Sequence, residues 1–330
     1  MKKFLTLICA FVMALTACAG LVACGGNGEG SGDNGGVTPP PTPAGPTSLN
    51  YTTLGDQTSA VAELAAGGAD IAVVEKAIFD YYVSQNFDDS IMILTGDQFV
   101  FEKEEYVMAC KQGTDVADYL NAAIYYFQEN EVEIKNYTNA KGAVTCDINY
   151  IARDFGLASN LITVQKPSVN IDDEPAANSE FSRILVDGLK VGFVVDVNNR
   201  DLKNQPFAGN SHFDGHDGFE CLLTRAIAQI YGHTNDTSDE IFLNMSEAKG
   251  AITNGTVDVL VGGFSAADWG TGYDFSVPYI SNSHVLVIRK EDASKFNTFA
   301  KMKNASFVVA SNSVGESLVK TGAIKTAVLG

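Results

Sequence analysis

Four short stretches carry the side chains able to do chemistry. Glu75 closes the apolar run Ile71-Ala72-Val73-Val74, so its carboxylate stands at the carboxyl end of a strand, where ligands of open α/β sheets sit. The same residue can instead cap the helical segment Ile78 to Val83, because a carboxylate is favoured at a helix N-terminus. Gly262-Gly263-Phe264-Ser265 follows the alternating run Val257 to Val261. Two glycines there let a ligand approach backbone N–H groups, although a tight turn without a ligand reads the same way. In Ser311-Asn312-Ser313-Val314-Gly315-Glu316, Asn312 or Ser313 caps a helix whose free N–H groups can face an anionic group. Phe207, after Pro206 in a long polar loop, either stacks on a ligand or staples the loop to the core.

Among these candidates Glu75 is a lone carboxylate with no paired acid, base or metal set, so the machinery of an enzyme is not evident and no cofactor is expected. His212-Phe213-Asp214-Gly215-His216-Asp217 lacks the spacing of the strong zinc or calcium patterns and reads as a solvated turn, so no metal site is expected. Cys110, Cys146 and Cys221 lie beyond the N-terminal region without CxxC spacing. A Cys110–Cys146 disulfide stays open, and Cys221 reads as core because it lies in an apolar helical pattern.

The elements that must position these groups alternate between strand and helix. Leu49 to Leu54 reads as a strand, Thr58 to Ala66 as a helix capped by Thr58 or Ser59, and Asp70 to Val74 as the strand that ends at Glu75. Ile91 to Leu94 and Tyr106 to Cys110 are further strands, and Val116 to Phe127 is an amphipathic helix whose tyrosines pack. From about 165 to 182 the chain turns polar and acidic with no periodicity, which marks a linker. Leu189 to Val195 then reads as a strand, 198–217 as a loop, Gly218 to Ile230 as a helix, and Phe307 to Ala310 as a strand.

The N-terminal region has a different composition. Lys2 and Lys3, an apolar run and small residues before a cysteine form a secretory signal over residues 1–23. Leu21-Val22-Ala23-Cys24 looks like a bacterial lipobox, and Leu15-Thr16-Ala17-Cys18 competes with it; Cys24 is preferred because the Gly-, Pro- and Thr-rich stretch Gly25 to Pro46 follows directly. Residues 24–47 are therefore expected to be a disordered tether. The net charge of −18, with no basic stripe, argues against a nucleic-acid partner.

Taken together, Gly188-Leu189-Lys190-Val191-Gly192, Pro206-Phe207, Gly218-Phe219-Glu220, Gly255-Thr256-Val257-Asp258, Gly262-Gly263-Phe264-Ser265 and Asp274-Phe275-Ser276-Val277-Pro278-Tyr279 resemble, in order, the first half of a family 3 extracellular solute-binding protein. The stretch Ser59 to Glu75 resembles that family's second half, yet comes first. The resemblance implies a circularly permuted α/β fold of the two-lobed, type II periplasmic-binding-protein kind with two crossing hinge strands. One lobe would comprise 48–105 with 283–330, and the other 106–282, containing the permutation linker. The implied function is reversible binding of an amino acid or related amino-bearing solute by a monomeric, lipid-anchored, extracytoplasmic protein that serves an ABC permease. Ligand-sensing through a membrane partner and a dehydratase-like enzyme are the alternatives. The resemblance gives Glu75 the ligand's ammonium and Met245 an apolar wall, with Phe207, Gly262, Gly263, Ser265, Asn312 and Ser313 completing the cleft. The family's carboxylate-binding arginine is missing: Ala266 to Tyr273 contains none, and Arg200 or the backbone N–H groups at Asn312 and Ser313 are the candidate substitutes.

Overall fold

A computed structural model describes residues 47–86, 88–135, 143–195, 206–207, 209–210, 216–233 and 239–330. The signal segment, Cys18, Cys24, Arg200 and residues 211–215 lie outside the described residues. The strands are, in chain order, β1 Asn50–Leu54, β2 Ile71–Glu75, β3 Ile91–Ile93, β4 Val100–Tyr106, β5 Ala109–Lys111, β6 Val132–Ile134, β7 Val144–Cys146, β8 Val191–Val194, β9 Gly209–Asn210, β10 His216–Asp217, β11 Glu240–Leu243, β12 Val259–Val261, β13 Tyr273–Phe275, β14 Ile280–Arg289 and β15 Ser306–Ala310.

Two larger mixed sheets organise a mixed α/β fold. The first has the order β1-β15-β2-β14-β3, with β4 also paired to β14. In it β1, β15 and β2 are parallel and β14 is antiparallel to its neighbours. The second has the order β11-β8-β12-β5-β13, with β11, β8 and β12 parallel. As expected, the strands beginning at Asn50 and Ser306 lie in one sheet although they come from opposite ends of the described chain, and β12 lies in the other sheet with β8; in the structure β1 pairs directly with β15 and β12 with β8.

Helices cover both faces of each sheet, which is why the inner parallel strands β2, β15, β8 and β12 are nearly continuous buried apolar runs, whereas the edge strand β1 is polar and largely exposed. On the first sheet, Val73, Leu286, Phe307 and Val309 pack with Leu318, Val319, Ile324 and Val328 of helices 314–320 and 323–329, while Ala72, Val74, Val287 and Val308 pack with Ala60, Val61 and Leu64 of helix 57–65. On the second, Val191, Phe193, Val259 and Val261 meet helices 116–129 and 219–230, and Val194 and Leu260 meet helix 245–253. No helix among the described residues is long and apolar enough to cross a membrane.

Several local expectations need correction. The run Tyr106 to Cys110 is not one strand. Tyr106 ends β4 and pairs with Ile280 in the first sheet, whereas Ala109 begins β5 and pairs with Leu260 and Phe275 in the second. The chain therefore passes between sheets at Val107-Met108 and returns between Phe275 and Ile280. Helix 57–65 is capped by Asp56, whose Oδ1 accepts the Ser59 N–H at 2.7 Å, not by Thr58 or Ser59. The polar stretch 165–182 ends in a helix, Glu180–Asp187, capped by Ser179. That helix docks Phe181 flat on Tyr119 at 4.0 Å and pairs Arg183 with Asp258. Cys110, Cys146 and Cys221 are all buried free thiols, so no Cys110–Cys146 bridge forms.

Candidate functional site

The carboxyl ends of β1, β15 and β2 lie at one end of the first sheet, and those of β11, β8 and β12 at one end of the second. Glu75, half-buried after four buried residues, emerges at the first of these ends. Its Oε1 accepts Gln57 Nε2 at 2.7 Å, and its Oε2 accepts the Tyr106 hydroxyl at 2.8 Å and Asn282 Nδ2 at 2.6 Å. The Glu75 backbone N–H returns a bond to Gln57 Oε1 at 2.7 Å. Asn282 is oriented by the Ala77 N–H at the start of helix 76–86, which donates to its Oδ1 at 3.1 Å. Asn282, not Glu75, thus caps that helix.

Three uncharged donors hold this carboxylate in place without cancelling its charge. Each carboxylate oxygen has two acceptor positions, so Oε1 retains one for a further donor. Tyr106 stays a donor, because burial and the Glu75 charge push its phenol well above the usual range. Among the described residues, no lysine or arginine pairs with Glu75.

Other carboxylates gather around it. Glu104 is opposite Asn282 in the β4–β14 ladder and two residues before Tyr106, hence on the same strand face. Burial first, and then the charges of Asp268, Glu75 and Glu102, push it up to about 7. Asp268 reaches the group through Ser265, whose backbone bridges Tyr106. Its Oδ2 accepts the Ser265 N–H at 2.8 Å and hydroxyl at 2.6 Å, capping the short helix 266–269.

The glycine turn behaves differently from its reading as a ligand cradle. Gly262 and Gly263 donate their N–H groups to Glu220, with Gly263 N at 3.1 and 2.9 Å from its two oxygens. Glu220 sits fully buried in the first turn of helix 219–230 and also accepts the Tyr279 hydroxyl. Burial outweighs these donors and pushes its carboxyl up to about 7. An internal carboxylate therefore takes the place proposed for a ligand at these amides.

Phe207 is 2% exposed, edge-on to Tyr106 at 5.1 Å and tight against Gly263, and its carbonyl accepts the Glu220 N–H at 2.9 Å. It staples its loop to the core and offers no open face for stacking. Asn312 N–H donates to Glu316 Oε2 at 2.8 Å, and Ser313 Oγ accepts the Glu316 N–H at 3.1 Å, so these groups serve their own helix rather than an anion. Met245 is 40% exposed at the start of helix 245–253, outside the Glu75 network. Glu75, Phe207 and Ser265 thus converge on Tyr106, Gly263 is tied in through Phe207 and Glu220 and Gly262 through Glu220, and Asn312, Ser313 and Met245 stand apart from these contacts.

Gln57, Tyr106, Asn282 and Glu220 are site residues that sequence reasoning does not single out. Glu220 lies inside the motif Gly218-Phe219-Glu220, whose acid is a usable signal, whereas nothing local distinguishes Gln57. No family model matches this sequence, and no curated protein matches it either.

Proposed function

We propose that the chain is a lipid-anchored, extracytoplasmic solute-binding protein, the ligand-capturing component of an ABC importer, and that Glu75 binds the amino group of a small solute. The observation that carries the reading is the Glu75 carboxylate, which sits where the chain crosses between sheets. It is oriented by Gln57, Tyr106 and Asn282, keeps a free acceptor position and has no cation partner among the described residues. A carboxylate so held is preorganised for a cation that arrives from outside.

The reading takes the two sheets as two lobes that close on ligand, the crossings at Val107-Met108 and Ser276 to Tyr279 as hinges, and the order of the chain as a permutation of a type II fold. Pairing of β1 with β15, whose counterparts are close in sequence in the unpermuted order, supports it. Closure would bury the ligand, and the closed monomer would be the form that the permease meets. A thermal-shift screen of amino acids, amines and small carboxylates tests it, since a ligand that binds only the folded protein raises the melting temperature. Stabilisation by amino-bearing solutes that disappears in Glu75→Gln is expected; stabilisation that is indifferent to Glu75→Gln refutes the assignment.

A further inference from the structure

One residue of β4 is out of step with its neighbour strand. Glu104 pairs with Asn282 and Phe101 with His284, so Glu102 and Lys103 together stand opposite the single residue Ser283. That two-to-one count is a β-bulge, and bulges beside functional sites serve to re-aim side chains. Glu102, with a φ of 44°, takes the left-handed conformation that one form of bulge gives to glycine. The other non-glycine residues with positive φ among the described residues are Asn178 and Asn312, and asparagine tolerates that region whereas glutamate seldom adopts it.

The extra residue decides which side chains of β4 meet the Glu75 network. Side chains alternate across a strand, so a shift of one residue exchanges its two faces. With the bulge, Tyr106 stands opposite Ile280 and Glu104 opposite Asn282. Asn282 Nδ2 lies 2.6 Å from both the Tyr106 hydroxyl and Glu75 Oε2, and Tyr106 donates to that same oxygen at 2.8 Å. A ladder continued from Phe101 and His284 without a bulge would instead set Lys103 opposite Asn282 and Glu105 opposite Ile280. The phenol that holds Glu75 would then point away, and an ammonium would stand beside Asn282, within a side chain's reach of the carboxylate and free to pair with it. In the observed register Lys103 and Glu105 are exposed, while Tyr106 is buried.

We propose that Glu102 is a positioning residue for the amine site: by holding the extra residue in a left-handed turn it sets the phase of β4, so that Tyr106 is brought to Glu75 and Lys103 is kept from neutralising it. This rests on the reading of Glu75 as the ammonium site.

A cross-linking pair and calorimetry with n-butylamine test it in the full chain. Glu105→Cys/Ser281→Cys changes two exposed residues that stand opposite each other in the observed register, close enough for a disulfide. The bridge should form in the otherwise unchanged chain and also after deletion of Glu102, which removes the extra residue and leaves both flanking registers in place. It should fail in Glu102→Val, because a β-branched residue is disfavoured at positive φ and the strand relieves the bulge by slipping one position. Affinity for n-butylamine should follow the same order. It should stay within about twofold in Glu102→Gly and in the deletion, fall at least about tenfold in Glu102→Val, and recover in part when Lys103→Gln is added to that variant. Melting temperatures check that each variant folds. A bridge that survives in Glu102→Val, or one that is lost in the deletion, overturns the proposal, and where Glu102→Val does not fold the deletion decides alone. A loss in Glu102→Val that Lys103→Gln leaves untouched overturns the part assigned to Lys103. Absence of n-butylamine binding by the unchanged chain overturns the Glu75 reading, while the cross-linking pattern still decides whether Glu102 sets the phase of β4.

Discussion

Glu220 offers the sharpest test of the structure because it is a fully buried carboxyl with no cation beside it among the described residues, held by Gly262, Gly263 and Tyr279. Burial raises its folded-state pKa from 4.5 to about 7. A carboxyl whose pKa is raised on folding favours the protonated native state. Its stabilising contribution is therefore fully present below the unfolded value and is lost as pH climbs through the folded one. A tenfold difference in acidity between the folded and unfolded states is worth about 1.4 kcal/mol, so this one residue should remove on the order of 3 kcal/mol between pH ~4.5 and pH ~7. Glu220→Gln reproduces the protonated side chain: its carbonyl accepts Gly263 N–H and its amide donates to Tyr279. Urea unfolding of both proteins across this range isolates the effect, since the background from the remaining charges is shared and cancels in the difference. The variant should match wild type near the acid end and exceed it by about 3 kcal/mol above neutrality. Curves that stay parallel over the whole range would refute the buried, uncompensated carboxylate.

Glu75→Gln should weaken amine binding by two to four orders of magnitude, because breaking a desolvated ion pair costs roughly 3 to 5 kcal/mol; calorimetry with an amine and its deaminated counterpart checks it, and the deaminated solute should be indifferent. Gly315→Ala places a Cβ 2.8 Å from the Val73 carbonyl, a backbone atom of a central strand that cannot step aside. A loss of about 1 to 3 kcal/mol in urea unfolding is expected, and an unchanged midpoint would contradict the close approach of that helix to β2. Burial pushes the Cys110 thiol up to about 12 and the Cys146 thiol up to about 11. Both should resist alkylation in the native protein at mildly alkaline pH and react once it is unfolded, whereas non-reducible loss of both thiols after unfolding would mean that they are covalently blocked.

What the sequence determined by itself is local. Apolar runs closed by Glu75 and by Gly262-Gly263 specify strands that end at those residues, because side-chain periodicity reports backbone geometry over a few residues. The order of motifs also anticipated that β1 and β15 would share one sheet and β12 and β8 the other; that each pair is directly hydrogen-bonded came from the structure. Partners were a different matter. Whether Glu75 caps the following helix depended on Asn282, 207 positions away, which takes that place, and how its carboxylate is held depended on Gln57, 18 positions away. Whether Gly263 offers its N–H to a ligand depended on Glu220, 43 positions away. Tyr106 to Cys110 reads as one strand, yet its two ends pair in different sheets because their hydrogen-bonding neighbours are set by where β12, β13 and β14 lie. A carboxylate, an amide and a phenol are satisfied by whichever donors packing brings within about 3 Å, and that is decided by sheet register and chain crossing rather than by any local pattern.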